Sequence, residues 1–289
     1  MQHNTRGALL LFLILTIFSC AKVDQIIVDG NTHPTDLTIE NTLIENYVNK
    51  LYISTIGREP TTLEFDDDFE TLREANLSQL SREIVIDKLL EKVEYFNNLF
   101  KLESVNILNG VDTSMINERV DIYQLLLTTV TGIDTIYINY ELKRMEEFQK
   151  ALPALNSVNI TSTELYMRMI NNSFFDEINM GTENFVVAMF QHFLLRYPTD
   201  DELKKAKNMV NDQHSTVFFE TGNGKDDFIS IFFSSNEYYT GQTCILFNRY
   251  LFRNPSSEES VNYSVDYINT DDYQSLQRTI LSTNEFIGI

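Results

Sequence analysis

The chain of 289 residues is 43% hydrophobic, and its 20 Phe and 14 Tyr can build the core of one large or two modest domains. It carries 42 acidic against 22 basic residues, a formal net charge of −20. A surface that negative argues against nucleic acid, whose recognition rests on cations that neutralise phosphates, and against adsorption to anionic lipid headgroups.

The N-terminus has the three parts of a secretory signal in order: the positive charge of Arg6, an apolar run over 7–18, and the small residue Ser19 before a cysteine. The apolar run is shorter than the roughly 20 residues a bilayer-spanning helix needs, so it is a signal core and not a permanent anchor. Ile17-Phe18-Ser19-Cys20 resembles the lipobox of bacterial lipoproteins. The resemblance implies cleavage before Cys20, thioether lipidation of that residue and palmitate-type N-acylation of the new terminus; two or more acyl chains give stable membrane anchoring. It places the protein in the cell envelope, with the outer membrane expected and its face left open. Ala21 stands where an aspartate would imply inner-membrane retention, and Lys22 and Asp24 bear only a partial resemblance to the charged signals of Bacteroidota surface lipoproteins. Residues 20–42 then form a polar tether, its helical period broken by Gly30, Asn31 and Pro34. With Cys20 committed to lipid, Cys244 has no intrachain partner and is expected to be a buried, inert thiol.

From residue 43 onward the chain repeats itself. Three segments carry an apolar helical face followed by Arg-x-Pro-Thr/Ser-x-x-Glu: Arg58 to Glu64, Arg196 to Glu202 and Arg253 to Glu259. At seven, six, three and two places before each arginine stand Leu51, Tyr52, Thr55 and Ile56; Met189, Phe190, Phe193 and Leu194; and Leu246, Phe247, Tyr250 and Leu251, a spacing that shares one helical face. The proline stops the first helix by pushing its predecessor out of the α region. Thr61, Thr199 or Ser256 then caps the next helix, and the glutamate three places on completes a capping box. The arginine falls in the last turn of the first helix, where a cation meets exposed carbonyls. Each unit ends alike, on Glu94-Tyr95-Phe96, Glu237-Tyr238-Tyr239 and Glu285-Phe286-Ile287, which predicts that Arg196 pairs with Glu237 and Arg253 with Glu285.

This combination resembles helical segments of large secreted planctomycete proteins and the phycobilisome-linker-like repeats of some bacterial secreted proteins. The resemblance covers about half of the mature chain and implies fold, with no catalytic residues to carry over. The class is therefore all-α, with three degenerate helix-turn-helix units stacked at 43–100, 182–241 and 242–289 and a long-helix insertion at 101–181, following the signal at 1–19 and the tether at 20–42.

Within the insertion, 116–149 is helical with an interruption at Gly132, and Thr161 to Glu164 is another capping box. The stretch 171–181 mixes amides, acids and aromatics ahead of a helix that Thr182 could cap. It has two readings: a tight connection whose amides satisfy backbone groups, or a recognition edge in which Phe174, Phe175, Asn179 and Met180 meet a partner.

Little chemistry is visible. His3 leaves with the signal, His33 lies in the tether, His192 sits mid-helix without an acid or cysteine at ligand spacing, and His214 lies in a loop. No metal motif, nucleophile elbow or phosphate loop is present, and 221–227 lacks the alternating acids of a calcium loop, so it is expected to be a flexible turn. No cofactor or metal is expected. Two function classes follow: a non-enzymatic docking or scaffold lipoprotein with an envelope protein partner, or an accessory lipoprotein that captures or hydrolyses polysaccharide at a site assembled from distant residues.

Overall fold

The three arginine hinges dictate the architecture. The computed structural model describes residues 37–289, so the signal, Cys20 and the tether up to residue 36 lie outside the described residues. The first described helix, α1 (Leu37–Thr55), begins inside the span expected to be tether. It is followed by α2 (Thr62–Glu74), α3 (Gln79–Leu90) and α4 (Val93–Leu108). The insertion supplies α5 (Thr113–Leu127), α6 (Ile133–Gln149), α7 (Ala151–Asn156), α8 (Ser162–Ile170) and α9 (Ser173–Ile178). The second unit contains α10 (Thr182–Leu194), α11 (Asp200–Val210), the hairpin β1 (Ser215–Val217) and β2 (Glu220–Gly222), and α12 (Lys225–Ser234). The chain then continues through α13 (Asn236–Leu251), α14 (Ser257–Thr270), α15 (Tyr273–Leu281) and α16 (Asn284–Ile287). The fold is all-α with stacked helices and one small antiparallel hairpin; the span 221–227, expected to be a flexible turn, holds the end of β2 and the start of α12.

Each hinge is built the same way. Thr61, Thr199 and Ser256 sit in extended backbone and close capping boxes with Glu64, Glu202 and Glu259. Each arginine forks onto that same glutamate, at 2.8 Å for Arg58 and 2.6 Å for Arg196 and Arg253. It also reaches the closing helix: Arg58 to Glu94 at 2.8 Å, Arg196 to Glu237 at 2.5 Å and Arg253 to Glu285 at 2.6 Å. The guanidinium lies over the aromatic ring six residues back, Tyr52, Phe190 or Phe247. A planar fork with several donors can serve a cap, a closing helix and a ring together, which a lysine could not. The residue before each arginine is left-handed: Gly57 at φ 78°, but Leu195 and Phe252 at φ 56°.

The units are not separable blocks. Helix α13 closes the second unit through Glu237 at its start and opens the third through its end at Leu251. The expected boundaries at 100/101 and 241/242 therefore fall inside α4 and α13. The third unit also packs back onto the first, α15 against α3, so the stack closes on itself. Tyr47 donates to the Leu281 carbonyl at 3.1 Å, Lys50 to that of Phe286 at 2.7 Å, and buried Arg82 to that of Ser282 at 2.8 Å. Helices α10 and α13 cross so closely that a Cβ on Gly241 would stand 2.0 Å from the Phe193 carbonyl oxygen, which only glycine permits. Around that crossing Phe193, Phe232, Phe233 and Tyr238 pack edge to face.

Candidate functional site

The insertion places one structure outside this closed core. Helices α5 and α6 form an antiparallel hairpin, turned through Gly132 at φ 67°. Each helix carries two apolar stripes where a surface helix needs one. On α5, Ile116 and Val120 are buried, while Met115, Ile122, Leu125 and Leu126 are exposed. On α6, Ile138, Met145 and Phe148 are buried, while Ile133, Ile136, Tyr137 and Tyr140 are exposed. The buried positions of α6 begin only at Ile138, beyond its first turn, and the helix packs on α7, α8 and α9, whereas α5 packs chiefly on α6. The hairpin is thus an arm whose tip, with Leu125 66% and Ile133 76% exposed, shows apolar side chains to water.

At the foot of the arm lies a buried ionic cluster. Arg144 is 7% exposed and donates to Glu141 Oε1 at 2.9 Å and to Asp176 Oδ2 at 2.6 Å. Its Nε donates to Asn171 Oδ1 at 3.1 Å, and Lys225 bonds the other oxygen of Asp176. Charges this deep persist only when paired, since removing one partner strands the other away from water. Burial pushes the Glu141 carboxyl above the usual carboxylate range, against the pull of Arg144. Burial likewise lowers the Lys225 ammonium, helped by neighbouring Arg144. Glu141 Oε2 is buried without a hydrogen-bond partner.

Two clefts flank this cluster. One of about 440 Å³, between the arm and α9, is lined by Tyr123, Tyr137, Glu141, Ser173, Asp176, Glu177 and Met180. The other, of about 380 Å³, is lined by Arg144 itself together with Tyr140, Lys143, Arg168 and Asp226. No group of three His, Cys, Asp or Glu side chains among the described residues is placed to hold a metal ion.

The structure corrects the recognition edge expected at 171–181. Phe174 and Phe175 are 7% and 0% exposed, so neither ring can meet a partner. The physical reason is Asn172, whose side chain accepts from the amides of Phe174 and Phe175 and winds the segment into α9. That turn lays Phe175 edge-on against Phe185 at 5.5 Å and Phe174 beneath the Arg119 guanidinium. Half-buried Asn179 donates to the Phe175 carbonyl at 3.1 Å and so finishes the same helix. Met180, 69% exposed, remains on the surface and lines the larger cleft. Gly181, and not Thr182, precedes α10 as its cap. His192 is half-buried between Phe175 and Phe193, and burial lowers its pKa. Cys244 is only half-buried, and burial raises its pKa.

Sequence reasoning missed the arm. Its signal was the spacing of Ile133, Ile136, Tyr137 and Tyr140 alongside the inward stripe of Ile138 and Met145, apolar on two faces of one helix. No protein-family model, curated protein or solved structure matches the chain.

Proposed function

We propose that the protein is a docking lipoprotein of the bacterial cell envelope, held to a membrane, the outer membrane by our reading, through acyl groups on Cys20. In this reading its arm receives an apolar helical segment of an envelope protein. The sequence signal and lipobox support the anchor. The observation that carries the docking role is the outward apolar stripe of the arm, with eight large apolar side chains exposed between Met115 and Tyr140. Burying such a stripe yields about 25 cal/mol per Å² of apolar area, and a soluble chain gains nothing by leaving it bare. Anchors spaced three, four and seven residues apart suit a partner helix laid along the hairpin.

The test is a photo-crosslinking amino acid placed in living cells at Leu125, Ile133 or Ile136, with Leu63 (82% exposed, on α2) as control. A discrete adduct is expected from the arm positions and none from the control, and it should vanish in a Leu125→Ser, Ile133→Ser variant that stays folded. Adducts of equal yield at Leu63, or none at the arm, would reject the reading.

A further inference from the structure

At the foot of the arm, the cleft between the arm and α9 holds a carboxylate with half of its hydrogen bonding left open. Glu141 is 5% exposed; Arg144 serves one of its oxygens, and Oε2 has no partner. Buried polar atoms are almost always paired, and Glu141 lines this cleft, so its unpaired oxygen points to a donor that arrives from outside. The cations around this cleft are already committed: Arg144 to Glu141 and Asp176, Lys225 to Asp176, and Arg119 to Glu177. Both oxygens of Asp176 and of Glu177 are taken by those same cations, so what remains open to a ligand is Glu141 Oε2 beside the rings of Tyr123 and Tyr137. Tyr137 is 61% exposed, so its ring is available for stacking.

That lining is complementary to one chemistry, a cation on an aliphatic stem. We propose that the cleft receives a basic side chain, an ammonium or guanidinium, from the partner docked along the arm; this rests on the docking reading above. The cationic head donates to Glu141 Oε2, lies against Tyr137 and runs its methylenes past Met180 at the rim. A guanidinium suits the site especially, because its plane can stack on a ring while its edge donates to the carboxylate. The partner segment is therefore an amphipathic helix whose apolar stripe ends in Arg or Lys, and the net charge of −20 draws such a segment in.

The probes are n-propylguanidinium and n-butylammonium, titrated into the full chain in detergent micelles with methionine methyls labelled by carbon-13. Met180 is exposed at the cleft rim, and its methyl signal is the reporter. Both cations are expected to move that signal saturably, and neutral n-butanol is expected to leave it in place. Glu141→Gln should weaken the titration about tenfold. Should that variant fail to fold, Tyr137→Ala removes an exposed ring and is expected to weaken it with the helical circular dichroism unchanged. The proposal is overturned if n-butanol acts as the cations do, if neither cation saturates, or if both variants titrate like the parent. The titration needs no partner, so its failure with arm crosslinks intact removes only the basic-side-chain cleft. A normal titration without arm crosslinks overturns the assignment of the cation to a docked partner.

Discussion

Asp87 and Arg278 hold the same place in the first and third units, each three residues before the leucine that ends its helix, and their side chains meet at 3.1 Å. Equivalent positions pairing across α3 and α15 make this contact the point about which the two units face each other. Both side chains are more than a third exposed, so the pair should contribute on the order of 0.5 kcal/mol. Asp87→Arg should cost about as much again through like-charge repulsion, and Asp87→Arg with Arg278→Asp should recover most of the loss. Urea unfolding of the four proteins measures the coupling; a double variant no better than the sum of its singles would contradict the facing arrangement.

The left-handed residue before each hinge arginine offers a way to raise stability. Leu195 and Phe252 are 51% and 83% exposed at φ 56°, so they bear the steric cost of that backbone with little packing in return. Leu195→Gly and Phe252→Gly should each stabilise by about 1 kcal/mol. The opposite change, Gly57→Leu, should destabilise, because a Cβ there would stand 2.4 Å from Asn98 Oδ1. Thermal melts of the three variants test the sign at each hinge.

The hinge glutamates tie stability to acid. Arg196, with help from Thr199, holds the Glu202 carboxyl down from 4.5 to about 2, and Arg253 and Ser256 hold Glu259 down to about 2 in the same way. A carboxyl whose folded pKa is depressed adds stability that is complete above its unfolded value and is lost as pH falls through the folded one. Stability should therefore decline between pH 4.5 and about 2. Arg196→Met should flatten that decline while lowering stability at neutral pH, and Thr199→Ala should cost about 1 kcal/mol. Denaturant melts at several pH values give the slopes; parallel curves for parent and Arg196→Met would count against the clamp.

Gln242, next to the close crossing at Gly241, is 1% exposed and its Nε2 has no partner. Replacing an unpaired buried amide by an apolar group of similar size removes a desolvation penalty of roughly 1–3 kcal/mol. Gln242→Leu should accordingly raise the midpoint of thermal unfolding. A lowered midpoint would show that the amide serves a packing role that leucine cannot fill.

The hinges were legible in the sequence because their logic is local. Proline, cap and glutamate act within seven residues, so Thr61, Thr199 and Ser256 could be placed as caps from spacing alone. Even the long-range pairs of Arg196 and Arg253 followed, since a repeated unit turns one guess into several aligned ones. The pair of Arg58 with Glu94 was obscured because Leu89 to Lys92 departs from the other unit endings. Burial at 171–181 was not legible: Asn172 decides it by capping a single helical turn, and the same amide in an open loop would have left both phenylalanines outside. Glu141 was invisible for the opposite reason, since its cleft is assembled from α5, α6 and α9 and no short motif brings them together.

The return of the last unit onto the first has a mechanical side. Tension that enters the described fold through α1 acts on a helix latched by Tyr47 and Lys50 to carbonyls of Leu281 and Phe286, in the third unit. The first helix does not peel away alone, because two of its fasteners belong to α15 and α16. Rupture must shear contacts between the first and third units at once, so the body resists a steady pull as a closed buckle does, and its lifetime under load is set by the rate of that one concerted opening.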